Sequence, residues 1–180
     1  MNSAIFTTER LEAHLLTKNN EKLLIDLYSR DENTQYLEGL NAIQDIALTF
    51  DSYRENNNIG AYLIFCKKTK DFIGFGGVQN QEPLKDGSFA LDEKIEFVIM
   101  IDSSHLGKGY AKEFSAAFLN FFFENLPDLV IPARVNQGNF ACIKLLEKLG
   151  FIKAGEVPYY SYENKFHLLK IDNGAIKARN

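Results

Sequence analysis

Apolar and polar residues alternate over residues 9–16, a period of two that predicts a strand. The period then lengthens, and Leu23, Leu24 and Leu27 share one face of a helix predicted over 19–29. Ile43, Ile46, Ala47 and Phe50 recur at helical spacing and predict a second helix from 41 to about 55. Two β-rich runs, 61–67 and 71–78, flank a polar turn and read as a hairpin. Gly74, Gly76 and Gly77 interrupt the second run, which points to a close backbone approach or a bulge. The strongest strand is 94–101, KIEFVIMI. A turn, DSSHLGKG, leads from it directly into a long helix of about 110–125. A strand over 129–135 contains Pro132, the mark of an edge, a bulge or a splay. Residues 138–149 predict an amphipathic helix carrying Ile143, Leu145, Leu146 and Leu149, stopped by Gly150. Strands at about 152–159 and 165–171 end the series. Helices interrupt a sheet that contains hairpins, so the pattern predicts a mixed α/β (α+β) fold and excludes a wholly parallel doubly wound one.

Length adds a domain count. The 180 residues suit one domain over 1–180, because the linker-like stretches at 56–60 and 79–88 are too short to separate two. An apolar fraction of 46% excludes disordered and collagen-like classes. The formal net charge of -4, without a run of five basic residues, argues against a nucleic-acid partner. Cys66 and Cys142 are far apart, and His14, His105 and His167 are scattered, so no metal site is expected. The apolar stretch 114–123 is too short to span a bilayer, and the start lacks a signal-peptide pattern. The expectation is a soluble cytoplasmic protein with no membrane partner.

Most of the chemistry lies in residues 99–113. A strand ends, a Gly-rich turn follows, and a helix begins, so unpaired backbone N–H groups converge at the positive end of a helix dipole. Such a place suits a phosphate. Gly107 and Gly109 keep side chains out of the way, and Lys108 adds a charge. The spacing is neither a Walker A loop nor a full GxGxxG, and an ordinary helix start remains the competing reading.

The segment HLGKGYAKE resembles the acetyl-CoA loop of the GNAT superfamily, Q/R-x-x-G-x-G/A. Gly107 and Gly109 occupy its two small positions, and Ser104 stands where the family has Gln or Arg. Residues 139–151, NFACIKLLEKLGF, are similar to the family's N-x-x-S-x-x-x-L-E-K-L-G-F. The opening TERLEAHLL is similar to the TxRLxLR start of the Rim-type (ribosomal-protein) branch, and FIGFGGV fits the central hairpin. The resemblance covers about residues 7–170, leaving a tail at 172–180. It implies a central, mostly antiparallel twisted sheet of about seven strands flanked by about four helices. It implies acetyl-CoA as cosubstrate, with its pyrophosphate on the main chain of Leu106, Gly107, Lys108, Gly109, Tyr110 and Ala111. It further implies cofactor contacts from Ile99 and Ile101, and from Asn139, which is also a helix cap. The implied acceptor is an amine, either a small molecule or a protein N-terminus, and the implied assembly is a monomer or homodimer.

Acetyl transfer to an amine needs a proton acceptor, a donor for the oxyanion and a weak acid for the leaving thiolate. Glu96 is the candidate base. Alternation sets Glu96, Val98 and Met100 on one face and Ile95, Phe97 and Ile99 on the other. Burial there would make its carboxylate a stronger base; the alternative is an edge carboxylate facing water. Rim-type enzymes often have Glu at this position. Leu146 stands where many GNAT enzymes have the acidic Tyr, so Cys142, at the Ser position of the second motif, is the candidate acid or else a structural thiol. Tyr159, Tyr160 and Tyr162 are further candidates. Acceptor choice is assigned to the N-terminal helices and to residues 79–93 and 159–164. A non-catalytic acyl-CoA-binding module and a nucleotide-binding protein are the competing functions.

Overall fold

Six consecutive buried residues, AYLIFC, make β3 (Ala61–Cys66) a strand covered on both faces, and the rest of the architecture follows from what covers it. The computed structural model describes residues 3–36, 59–80, 95–158 and 165–178. Among these, β3 is preceded by β1 (Phe6–Thr7), β2 (Leu11–Leu15), α1 (Lys22–Tyr28) and α2 (Asp31–Thr34). It is followed by β4 (Phe72–Asn80) and β5 (Ile95–Ile101). A 3-10 turn at Ser103–His105 leads into α3 (Tyr110–Asn125). Then come β6 (Ile131–Asn136), α4 (Phe140–Lys148), β7 (Ile152–Pro158), β8 (Lys165–Ile171) and α5 (Asn173–Lys177).

The strands form two antiparallel sheets, β1-β2-β3-β4-β5 and β6-β8-β7. On one face of the larger sheet, Leu11, Ala13, Tyr62, Ile64 and Phe97 pack against Phe114, Phe118 and Phe122 of α3. Each such fully buried Phe contributes about 1.5–3 kcal/mol of transfer free energy. The Phe-rich run therefore packs into the core. On the other face, Leu63, Phe65 and Phe75 pack against Leu24 and Leu27 of α1. The glycines of β4 make the first packing possible. A Cβ on Gly76 would stand 2.6 Å from Phe114 Cε1 and 2.7 Å from Ile99 Cδ1, closer than atoms approach.

The mixed α/β class and the mostly antiparallel sheet hold, with corrections of detail. The strand expected over 9–16 is β2, which starts at Leu11; the short β1 precedes it across a turn in which Thr8 N–H donates to Leu11 O and Thr8 Oγ1 accepts from Leu11 N–H. The helix expected over 19–29 starts at Lys22, and extended backbone at Arg30 separates it from α2. The strand expected from 129 starts at Ile131 and lies at a sheet edge, where Pro132 is tolerated. The tail contains α5, capped by Asp172 Oδ1, which accepts from Ala175 N–H at 2.9 Å. The described residues thus hold eight strands where about seven were expected, and five helices where about four were. The helix expected from 41 to 55 lies outside the described residues.

Candidate active site

Strands β5 and β6, joined through α3, are edge strands of different sheets that lie side by side and part instead of pairing. Their register fixes what the gap presents. Asp102 N–H donates to Ile73 O at 2.9 Å, and Met100 and Val98 pair with Phe75 and Gly77 of β4. Backbone groups alternate in direction along a strand, so the N–H and C=O of Ile99 and Ile101 point away from β4, towards β6. Both residues thus offer edge amide groups to an extended ligand. The amide groups of a pantetheine arm fit that edge as an added strand would.

At the end of β5 the chain turns under tight control. Asp102 is buried and its Oδ1 accepts from Ser104 N–H (3.0 Å) and Ser104 Oγ (2.7 Å). The Arg30 guanidinium also pairs with Asp102. Burial pushes the Asp102 carboxyl up, but the bonds from Ser104 and the Arg30 charge outweigh it and hold it below the usual range. Ser104, at the position where the resemblance would put Gln or Arg, is therefore occupied in shaping the turn. Gly109 is the N-cap of α3 in the left-handed region (φ 80°), a conformation that costs a side-chain-bearing residue roughly 1–2 kcal/mol.

The N–H groups of Gly107, Lys108, Gly109, Tyr110 and Ala111 have no acceptor among the described residues. They lie at or just before the N-terminus of a 16-residue helix, where anions are stabilised. The amide expected at Leu106 differs, since it already donates weakly to Ser103 O at 3.4 Å. Lys108 Nζ lies 3.2 Å from both Ser104 O and His105 Nδ1, which fixes its ammonium beside the turn.

Between β5 and β6 lies a cleft of about 110 Å³ whose lining includes Tyr36, Gln79, Glu96, Arg134, Asn139 and Cys142. Glu96 is 4% exposed, which removes the water-facing reading. It is also not an isolated carboxylate. Arg134 donates through Nε to Oε2 at 2.6 Å and through Nη2 to Oε1 at 2.7 Å, and Gln79 Nε2 donates to Oε1 at 2.9 Å. A carboxylate has about four lone-pair positions. Among the described residues three are filled by these donors, leaving one on Oε2.

Arg134 is the residue that sequence reasoning missed. The signal was there: the apolar strands on either side of the turn each carry one charge, Glu96 in IEFVIMI and Arg134 in IPARVN, of opposite sign. Asn139 Oδ1 caps α4 by accepting from Cys142 N–H at 3.1 Å, so cap and cleft-lining positions coincide. Its Nδ2 has no partner among the described residues. Cys142 is half-buried, and burial pushes its thiol up to about 11. Leu146, at the position of the absent Tyr, is buried and adds apolar lining. Tyr159, Tyr160, Tyr162 and nearly all of 79–93 lie outside the described residues. No helix among the described residues is long and apolar enough to cross a membrane.

Comparisons with known proteins agree with this geometry. The family model for the acetyltransferase (GNAT) domain matches residues 10–152. The chain is 30% identical over 169 residues to an uncharacterized N-acetyltransferase, YoaA, of Bacillus subtilis strain 168, covering 89% of each chain. A putative GNAT-family acetyltransferase from Bordetella pertussis superposes with a TM-score of 0.75 at 17% identity, over 92% of this chain and 97% of that one. A spermidine N-acetyltransferase from Vibrio cholerae, solved with CoA and spermine, superposes with a TM-score of 0.70 at 17% identity, over 93% and 98%. GNAT acetyltransferases take their acetyl group from acetyl-CoA, the molecule that the β5 edge and the glycine turn fit. With a motif match over most of its length and a cleft of matching chemistry, this chain belongs to the GNAT family of acetyltransferases.

Proposed function

We propose that the protein moves an acetyl group from acetyl-CoA to a primary amine by direct attack of the amine on the thioester. The observation that carries this reading is the continuity of the open β5 edge with the glycine turn and the N-terminus of α3. In it, Ile99 and Ile101 bind the pantetheine amides, and Gly107, Lys108, Gly109, Tyr110 and Ala111 bind the pyrophosphate through main-chain N–H groups. Asn139 donates to the arm through Nδ2.

The remaining position on Glu96 Oε2 accepts the amine's proton, directly or through one water. Arg134 and Gln79 hold that carboxylate in place beside the cleft through their hydrogen bonds. Cys142 is a poor full acid, because a thiol at about 11 donates uphill to an ordinary thiolate near 8.5. Its role is a hydrogen bond to the departing sulfur. A lone-pair position on a buried carboxylate beside the acyl site favours turnover over a purely acyl-CoA-binding role.

The acceptor in this reading is a small amine, in keeping with the spermidine enzyme among the structural neighbours. A protein N-terminus is the second reading, supported by the Rim-type opening TERLEAHLL and by Glu96. The two free cysteines suit a reducing cytoplasm. Release of CoA thiol should be followed with acetyl-CoA and a panel of polyamines, amino sugars and N-terminal peptides. Amine-dependent release, with acetylated amine found by mass spectrometry, is expected, and the best substrate decides between the two acceptors. Binding of acetyl-CoA without release for any amine would favour the binding module.

A further inference from the structure

A cluster outside the cleft accounts for how the glycine turn holds its shape. Arg10 lies in the turn between β1 and β2, far in sequence from the loop but in contact with it. Its Nη1 donates to Lys108 O at 3.0 Å, and its Nε pairs with Glu113 Oε2 at 2.6 Å. Its own backbone N–H donates to Glu113 Oε1 at 2.8 Å, where Thr8 Oγ1 also donates. The guanidinium lies 4.7 Å from the centroid of the Tyr110 ring, and a Cβ on Gly109 would be 3.5 Å from Nη2. The N-terminal turn thus grips the loop at 108, 110 and 113 together.

A trans peptide is planar, and its C=O and N–H point in opposite directions. Fixing Lys108 O towards Arg10 therefore turns the Gly109 N–H the other way. That N–H has no acceptor among the described residues. We propose that Arg10 is a positioning residue for the acyl donor: by clamping Lys108 O and Glu113 it aims the Gly109 amide at the donor's pyrophosphate. The clamp acts by geometry, since the Arg10 charge is already answered by Glu113. The inference rests on the acetyl-CoA reading above.

The test compares acetyl-CoA with S-acetylpantetheine, which carries the thioester and the arm but no pyrophosphate. The quantity read is the ratio of kcat/KM for the two donors, which does not depend on how much of a variant is folded. Arg10→Gln is expected to lower that ratio about tenfold, the worth of one charge-assisted hydrogen bond, mostly through the KM for acetyl-CoA. Arg10→Lys keeps the charge but not the planar fork, and is expected to lower it nearly as far. Glu113→Gln is expected to lower it less, because the Arg10–Lys108 contact survives. An unchanged ratio in Arg10→Gln would overturn the proposal, and full rescue by Arg10→Lys would replace geometry with charge. A wild-type enzyme that does not prefer acetyl-CoA to S-acetylpantetheine would sink the pyrophosphate reading itself.

Discussion

Glu113 ties the N-terminal turn to the glycine loop, and its ionisation carries a testable pH dependence. Burial pushes its carboxyl up, but hydrogen bonds from Thr8 and Arg10 and the Arg10 charge outweigh that and hold it below its ordinary 4.5. A carboxyl depressed by folding stabilises the fold above its ordinary value and loses that contribution as pH falls through the lower, folded value. Asp102, held below its ordinary 3.8, behaves in the same sense at the other end of the turn. The contribution of both groups should be intact above about pH 5 and fade below about pH 4. Melting temperature and acetyl-CoA affinity, measured across that range, should fall together. Glu113→Gln should flatten part of the fall. Gly107 and Gly109 were legible in the sequence because the strand before them and the helix after them are their immediate neighbours in the chain. The distant partners, Arg10 of Glu113 and Arg30 of Asp102, were not, since nothing local links residue 10 to 113 or residue 30 to 102.

At the scale of elements, the Glu96–Arg134 pair joins the two edges that part. Both side chains are almost fully buried, 6% and 3% exposed, so removing one charge breaks a buried ion pair. Glu96→Gln should therefore cost about 3–5 kcal/mol of stability as well as turnover. Glu96→Leu combined with Arg134→Met should be close to wild type in stability, or above it, and without activity. Urea denaturation of the three proteins, with thiol release measured on each, checks both halves. A stable double variant that still turned over would remove Glu96 from the chemistry.

The strands themselves read well in sequence, because β5 and the β3–β4 hairpin are long, apolar and bounded by polar turns. Two elements were harder. The two-residue β1 is held by pairing with β2, including Ile5 N–H to Ala13 O, and so has no period of its own. The α5 helix has five residues and depends on the Asp172 cap. The ion pair across β5 and β6 is a tertiary fact, suggested by matched charges but not fixed by them.

For the molecule as a whole, the division into a five-stranded and a three-stranded sheet is what creates the site. Two covered faces supply the core, so the edges at the division are free to bind a ligand rather than a strand. The sequence motifs pointed to the donor half of this arrangement, since a glycine turn after an apolar strand reports backbone chemistry directly. The rest of the cleft lining comes from distant segments, such as Tyr36, Gln79 and Arg134, and the matched charges of Glu96 and Arg134 were the one linear hint that two of its side chains meet.

The most direct test of the central claim is calorimetric titration of the protein with acetyl-CoA, with ATP and NAD as comparators. Acetyl-CoA should bind at one site per chain, and at a hundred times its dissociation constant it should stabilise the fold by about 2.7 kcal/mol. ATP and NAD should do neither at the same concentrations. No binding of acetyl-CoA, or equal binding of ATP, would contradict the account and return the glycine turn to an ordinary helix start.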